Sequence, residues 1–194
     1  MRVRGFALVS AGVLLVACTR APLVRLPDLA ASALPEGSSA PEDAGGRRTL
    51  PGPPDAAVGA EVLSVTDGDT IVLRGIADGE IHRATGGRKA RLIGVDTPEV
   101  FGPDECFGAK ASSFTRAELD GTRVRIAFDV GRTDRYGRAL VYVWDVQGRF
   151  FNARLVQEGY ALQMTVPPNV RFAGLFTALA REARLAGRGL WREC

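Results

Sequence analysis

The sequence predicts an α+β domain over residues 59–194, built on a small β-barrel with about three helices. Two observations lead to this prediction. Five short runs rich in β-branched residues are separated by turn signals. Three other segments carry helix signals, with apolar residues at helical spacing in two of them and an asparagine N-cap in the other. The helices interrupt or follow the strands, which favours an α+β domain.

The five strands are predicted from alternation and from the turns between them. Residues 123–128 alternate most clearly, with basic side chains on one face and apolar side chains on the other. Asp67-Gly68 is a tight-turn signal between the first two strands, and residues 75–87 form a longer connection that contains the single histidine. The predicted strands are 61–65, 70–76, 88–95, 123–128 and 139–146.

Three helices complete the predicted domain. The first spans residues 108–119, where apolar residues recur at helical spacing, and ends at Asp120-Gly121. Asn152 is the predicted N-cap of a short second helix. Asn169 is the predicted N-cap of a longer third helix, which ends before Gly187.

The amino terminus predicts export. Two arginines within the first four residues precede an apolar stretch that is too short to span a bilayer comfortably, so residues 1–17 are a predicted signal peptide. The sequence Leu15-Val16-Ala17-Cys18 resembles the lipobox of bacterial lipoproteins, which implies a lipid on the Cys18 thiol and a tether to the membrane. The alternative is an ordinary cleaved signal followed by a coincidental cysteine. Both alternatives put the protein outside the cytoplasm.

A spacer is predicted between the signal and the domain, over residues 18–58. This segment holds seven of the eleven prolines and no aromatic residue, and Ala, Pro, Gly and Ser dominate it. Such a composition buries too little apolar surface to offset the entropy of ordering the chain. We therefore expect a flexible or extended tether.

The residue counts limit the kinds of metal site. One histidine excludes zinc centres with several imidazoles and iron sites with two, and three cysteines exclude a site with four thiolates. Any metal is therefore held by oxygen ligands. The net charge of +3 neither proves nor excludes a nucleic-acid partner.

Two cysteines remain once Cys18 is assigned to the lipid. In an oxidising compartment Cys106 and Cys194 can form a disulfide that fastens the last residue of the chain to the domain. Two unpaired thiols are the alternative.

Three short islands of the sequence carry residue types that chemistry uses. Island one lies between the first two strands, island two runs along and past the third strand, and island three precedes the fifth. Each alone has an ordinary structural explanation as a turn, a helix start or a solvated arginine. Their combination is the informative feature. The islands are Asp67-Gly68-Asp69-Thr70, Arg91-Leu92-Ile93-Gly94-Val95-Asp96-Thr97-Pro98-Glu99 and Asp134-Arg135-Tyr136-Gly137-Arg138.

The three islands, in this order and spacing, resemble the staphylococcal nuclease (thermonuclease) family, and the likeness runs from about Gly59 to Trp191. The resemblance implies an OB-fold-type five-stranded barrel with three helices. It also assigns roles. By resemblance the calcium ligands are Asp69, Asp96 and the carbonyl of Thr97, the catalytic groups are Arg91, Glu99 and Arg138, and Arg135 and Tyr136 contact a terminal phosphate of the substrate.

The chemistry of these residue types agrees with the assigned roles. Arginine donates paired, charge-assisted hydrogen bonds to phosphate oxygens and stays protonated, so Arg91 and Arg138 suit a phosphodiester transition state. Ca²⁺ prefers carboxylate, carbonyl and water oxygens. Glu99 is then left to orient or deprotonate the attacking water.

Two functions follow as alternatives. The first is a calcium-dependent nuclease that cleaves DNA and RNA, with endonuclease action and 3′-phosphate products implied by the resemblance, working as a monomer without an obligate protein partner. The second is a non-catalytic OB-type module that binds nucleic acid at the cell envelope. Retention of all the acidic and arginine positions favours the enzyme, because a binding module has no use for carboxylates that repel phosphate.

The chain departs from the family pattern in places. Residues 164–169 lack the tyrosines that pack a substrate base in the type enzyme, and the connection 75–87 is longer. The segment Glu105-Cys106-Phe107-Gly108 and the ending Gly189-Leu190-Trp191 with its terminal cysteine resemble secreted bacterial members, which supports the disulfide.

Overall fold

The computed structural model describes residues 48–75, 88–100 and 105–194. The predicted signal peptide, Cys18 and most of the predicted spacer lie outside these ranges, and the predictions made for them stay predictions. None of the helices within the described ranges is long and apolar enough to cross a membrane.

The described elements confirm the predicted α+β barrel. All five predicted strands and the first helix agree with the observed bounds to within three residues. The strands are β1 (Val58–Val65), β2 (Thr70–Gly75), β3 (Arg88–Leu92), β4 (Val95–Asp96), β5 (Arg123–Ala127), β6 (Ala139–Trp144) and β7 (Leu162–Gln163). The helices are α1 (Gly108–Leu119), α2 (Phe151–Gln157), α3 (Ala173–Leu185) and α4 (Leu190–Glu193).

Five of these strands close into a barrel in the order β1-β2-β3-β6-β5. All neighbours run antiparallel except β3 and β6, which pair in parallel from Ala90 opposite Ala139 to Leu92 opposite Val141. The register of β1 against β2 shifts between Val62 and Ser64, a bulge that increases local twist and helps a small sheet to close. The barrel thus brings the end of β3 beside the start of β6.

The core fills the barrel and continues under the helices. Buried apolar side chains of β1, β2, β3, β5 and β6 form its centre. An aromatic layer on β6 joins this centre to α2 and α3: the rings of Trp144 and Phe150 stack with centroids 4.4 Å apart, and Tyr142 meets Phe172 edge-on at 4.8 Å. Such pairs add to the stabilisation from area burial alone, and they fix α3 against the barrel.

The third predicted strand, 88–95, is wrong in one respect, because the chain turns at Ile93-Gly94. Gly94 has φ +84, and a Cβ there would collide with the ring of Phe176, so only glycine fits. Strand β3 stops at Leu92, and β4 continues in a new direction to pair with β7, with Asp96 opposite Leu162. The turn aims the second half of island two away from the barrel wall.

Both predicted asparagine N-caps are wrong. Helix α2 begins at Phe151, so Asn152 lies inside it, where its buried amide accepts a hydrogen bond from Val143 N and donates to the carbonyls of Ile93 and Val141. Asn169 lies before α3 and bonds both the N–H and the carbonyl of Gly131. The amides of both residues stitch distant segments together instead of capping helices.

Residues 48–57, assigned from composition to the spacer, pack against the domain. The indole Nε1 of Trp144 donates to the carbonyl of Pro51, and the Arg48 guanidinium binds Glu182 at 2.9 Å. Leu50 packs against the core. A proline-rich composition favours an extended chain. Here the buried indole N–H of Trp144 requires a hydrogen-bond acceptor, and the Pro51 carbonyl supplies it, which holds the segment against the domain.

The predicted disulfide is confirmed: Cys106 is bonded to Cys194, 88 residues further along the chain. The terminal cysteine follows α4, a short helix that the sequence pattern did not predict. The bond joins the segment before α1 to the end of the chain, which covalently closes the domain.

Replacing Asn152 with leucine tests the hydrogen bonds by which its amide connects α2 to β6 and to the turn at Ile93. The variant removes the partner of the Val143 N–H and of the Ile93 carbonyl, and it takes one of two donors from the Val141 carbonyl, which keeps the Ile93 N–H. We therefore expect a loss of about 3 kcal/mol in the free energy of unfolding. Thermal and urea melts measure it, with Gln147→Leu, an exposed amide, as the control. A melting temperature within about 2 °C of wild type would contradict this role.

Candidate active site

Islands one and two meet through a buried carboxylate, that of Asp69. Its side chain is only 2 % exposed. One oxygen, Oδ2, accepts the Thr97 N–H at 3.0 Å and contacts Arg91 Nη2 at 2.7 Å, and the other accepts the Thr70 hydroxyl at 3.2 Å. The same Arg91 nitrogen also binds Asp96 Oδ1. Two carboxylates, one from the turn before β2 and one from β4, therefore converge on a single nitrogen atom.

The local sequence explains why Asp69 is held there. Asp67 Oδ1 accepts the Asp69 N–H at 3.1 Å, a side-chain turn that Asp-Gly sequences favour. Gly68 lies directly beneath Thr97: a Cβ on Gly68 would come within 2.7 Å of the Thr97 hydroxyl oxygen. The buried hydroxyl of Thr115 on α1 donates to the Gly68 carbonyl at 2.6 Å. Helix α1 thus holds the Asp67-Gly68 turn in place through this hydrogen bond.

The pKa of Asp69 shows that its partners do not fully offset the cost of burying a charged carboxylate. Burial raises the pKa of Asp69 to about 7, although the Arg91 guanidinium and the Thr97 N–H both act to lower that pKa. Arg91 itself is 13 % exposed, and its Nε is buried with no hydrogen-bond partner among the described residues. The bridging arginine therefore leaves one of its own donors unused.

Island three is a tight turn organised by Asp134. Its carboxylate accepts the backbone N–H groups of Tyr136 and Arg138 at 2.9 Å and the Arg138 Nε at 2.6 Å. Burial acts to raise the pKa of Asp134, but the hydrogen bonds from Arg138 and Tyr136 outweigh it and the pKa is lowered. Sequence reasoning did not single out Asp134 as the group that orients Arg138. The signal was the Asp-x-x-Gly-Arg spacing of a turn whose first side chain reaches back to its own backbone.

A cleft of about 520 Å³ joins islands two and three. Arg91, Arg135, Tyr136 and Arg138 line it together. Arg135 Nη2 donates to the Tyr136 hydroxyl at 2.6 Å, and both Arg135 and Arg138 lie over the Tyr136 ring. Apolar residues also line the cleft: Leu140, Met164, Val166, Pro167 and Pro168. The cleft presents three guanidinium groups beside an apolar surface.

Glu99 stands apart from the arginines. It follows Pro98 and is exposed, and its carboxylate makes no hydrogen bond or ion pair with any residue that the structure describes. Its backbone is held on both sides by Glu105: Glu99 N–H donates to Glu105 Oε2 at 3.0 Å, and Glu105 N–H donates to the Glu99 carbonyl at 3.3 Å. Asp96 ends β4, and Glu99 follows it by three residues, so the Glu99 loop begins next to a carboxylate that binds Arg91.

The donor set fits a hard divalent cation with oxygen ligands. Within the described ranges no three His, Cys, Asp or Glu side chains form a metal cluster. However, Asp69 and Asp96 both reach the Arg91 nitrogen, so they can reach one cation at that point. The Thr97 carbonyl, on the residue whose N–H binds Asp69, can add a third oxygen, and water can supply the rest.

The site residues named from the sequence thus form two groups. Asp69, Arg91, Asp96 and Thr97 are brought together, and Arg91 links them to the cleft that holds Arg135, Tyr136 and Arg138. Glu99 joins neither group by its side chain within the described residues. The arrangement can bind a cation and an anion next to each other, which suits the hydrolysis of a phosphate ester.

The chain is similar to known proteins of one family. The family model described as Staphylococcal nuclease homologue matches residues 89–193. A thermonuclease of Staphylococcus intermedius is 38% identical over 135 residues, which cover 68% of this chain and 75% of that protein. A thermonuclease of Staphylococcus hyicus is 34% identical over 134 residues, covering 68% and 74%. An uncharacterized protein of Bacillus anthracis is 31% identical over 139 residues, covering 69% and 61%.

Proposed function

This chain belongs to the staphylococcal nuclease family and is a nuclease, and from that premise we propose that it hydrolyses both DNA and RNA with Ca²⁺ as cofactor. The proposal includes internal cleavage of the strand and products that end in a 3′-phosphate. The observation that carries it is the convergence of Asp69 and Asp96 on one atom of Arg91.

That convergence supports calcium for an electrostatic reason. Two carboxylates that share one guanidinium nitrogen leave net negative charge in a site where Asp69 is almost wholly buried. A divalent cation bound by these oxygens and the Thr97 carbonyl compensates that charge, and when bound it supplies positive charge next to the scissile phosphate. A chain with one histidine and only oxygen donors in this loop suits calcium better than zinc.

Arg91 has two alternative partners in this proposal. In the structure its Nη2 binds both carboxylates while its Nε is buried and unpaired. Released from the carboxylates, the same guanidinium can donate two hydrogen bonds to the substrate phosphate, which would satisfy the unused donor. Arg138 can donate to the phosphate from island three, across the cleft that the two arginines share.

The reaction then divides among the remaining groups. Water attacks the phosphorus and gives up one proton to Glu99 or to solvent, and the bond to the 5′ oxygen breaks as that oxygen gains a proton and leaves as a hydroxyl. The two arginines stabilise the negative charge that grows on the equatorial and leaving oxygens. Glu99 accepts a hydrogen bond from the attacking water and orients it. Arg135 and Tyr136, exposed at the cleft rim, bind a terminal phosphate of the substrate.

We also propose that the protein is exported, carries a lipid on Cys18 and works as a monomer tethered outside the cytoplasm. The Cys106–Cys194 disulfide supports the compartment, because such bonds persist where the environment is oxidising. Metabolic labelling with a fatty acid, compared between wild type and Cys18→Ala, tests the lipid.

Digestion with and without calcium tests the function. With Ca²⁺ we expect cleavage of single-stranded DNA, duplex DNA and RNA, and with a chelator we expect a loss of at least about 100-fold in rate, because the buried carboxylates then lack their compensating charge. Gel electrophoresis and end-labelling of the products measure both. Cleavage that resists the chelator would overturn the calcium assignment, and no cleavage with calcium would favour a binding module.

Single substitutions test the roles of Glu99 and Arg138. Glu99→Ser and Arg138→Gly should each lower kcat by about 100-fold or more, with small changes in melting temperature, since both side chains act on the transition state and not on the core. Arg123→Gly, at the exposed start of β5, is the control for losing an arginine beside a strand. Wild-type rates in either site variant would remove that residue from the site.

A further inference from the structure

The loop that carries Glu99 is closed by two reciprocal hydrogen bonds to one residue, Glu105. The carboxylate of Glu105 accepts the Glu99 N–H at 3.0 Å, and the Glu105 N–H donates to the Glu99 carbonyl at 3.3 Å. These bonds hold the main chain on both sides of the Glu99 Cα. Within the described residues no other side chain binds Glu99, so the contacts that position Glu99 are made to its backbone.

Glu105 is itself firmly anchored. The next residue, Cys106, is bonded to Cys194 at the end of the chain, and the Glu105 carbonyl accepts the Gly108 N–H at 3.0 Å at the start of α1. Lys110, in the first turn of α1, forms an ion pair with Glu193, next to the same disulfide. The main chain at Glu105 is therefore held by the disulfide of the next residue and by the start of α1, and the ion pair joins the same two segments.

Gly108 brings the helix start directly against the Glu99 carbonyl. A Cβ at this position would lie 2.5 Å from the Glu99 carbonyl oxygen and 3.1 Å from the Pro98 carbonyl oxygen. Both obstacles are backbone atoms, which cannot rotate away as a side-chain tip can. This close approach is possible only with glycine, and it determines how closely the backbone of the Glu99 loop packs against the start of α1.

We infer that Glu105 is a positioning residue for Glu99, and that the disulfide beside it holds this clamp in place. The inference rests on the proposed role of Glu99 in orienting the attacking water. A free glutamate side chain samples several rotamers, so a fixed backbone is what keeps its carboxylate within reach of the water. Glu105 also occupies the Glu99 N–H, which stops the Glu99 carboxylate from folding back onto its own amide.

Steady-state kinetics of Glu105 variants test the inference in the full chain. Glu105→Ala should lower kcat by about 10- to 100-fold with KM within about twofold of wild type, because a small displacement of a catalytic group affects the reaction more than binding. Glu105→Gln keeps an oxygen that accepts the Glu99 N–H, and it should recover kcat to within about threefold of wild type. Glu61→Ala, which removes a carboxylate paired with Arg74 on the barrel surface, is the control and should leave kcat and KM unchanged.

A double-mutant cycle separates positioning from general loss of structure. In the Glu99→Ser background, Glu105→Ala should cost no more than about twofold in the remaining kcat, since the group that it positions is gone. Gly108→Ala perturbs the same loop from the helix side and should lower kcat in wild type but not in that background. Melts of every variant confirm that rates are measured on folded protein.

The outcomes distinguish the inference from the proposal beneath it. Wild-type kcat in Glu105→Ala, or effects of Glu99→Ser and Glu105→Ala that multiply, would overturn the positioning role while leaving the nuclease proposal intact. Failure of Glu105→Gln to recover kcat would overturn the hydrogen bond as its cause. Wild-type kcat in Glu99→Ser would instead overturn the role of Glu99 itself.

Discussion

The buried carboxylate of Asp69 is the constraint on which the rest of the site depends. It lies in the turn before β2 and binds the Thr97 N–H and the Arg91 guanidinium, so it ties the first turn of the barrel to the end of β3 and to the loop after β4. A carboxylate this buried is costly unless its lone pairs are filled. That cost explains why Gly68 and Thr115 are packed so closely around the turn, since only a tight fit delivers every partner.

The same interaction links structure to catalysis. In the structure one Arg91 guanidinium binds the carboxylates of both Asp69 and Asp96, while its own Nε stays buried without a hydrogen-bond partner among the described residues. The bridge therefore leaves the two carboxylates short of positive charge and Arg91 short of an acceptor. In the proposed function a cation would bind the two carboxylates and Arg91 would bind the substrate phosphate, which would give the buried Arg91 Nε a partner. The disulfide and Glu105 act on another part of the site, where they fix the backbone of a glutamate whose side chain the described residues leave free.

Much of this was predictable where the signal is local. Alternation in residues 123–128 and the helical spacing of 108–119 reflect one buried face each, and the three islands lie at turns that strands and glycines mark. Tertiary contacts decided the rest. The turn at Gly94 depends on the Phe176 ring, Asn152 is buried by β6 and not exposed at a helix start, and residues 48–57 are ordered by Trp144. The position of Glu105 was not predictable from the sequence, because its side chain forms a hydrogen bond across a loop and no spacing rule predicts such a bond.

The exchange of Arg91 for a cation is the central claim, and calcium binding to the substrate-free protein tests it most directly. Isothermal titration of Ca²⁺ compares wild type with Arg91→Gln, which removes the competing positive charge and leaves both carboxylates. If Arg91 and the cation share Asp69 and Asp96, the variant binds calcium about 5-fold more tightly or better, while its nuclease activity falls. Equal or weaker calcium binding by Arg91→Gln would contradict the claim.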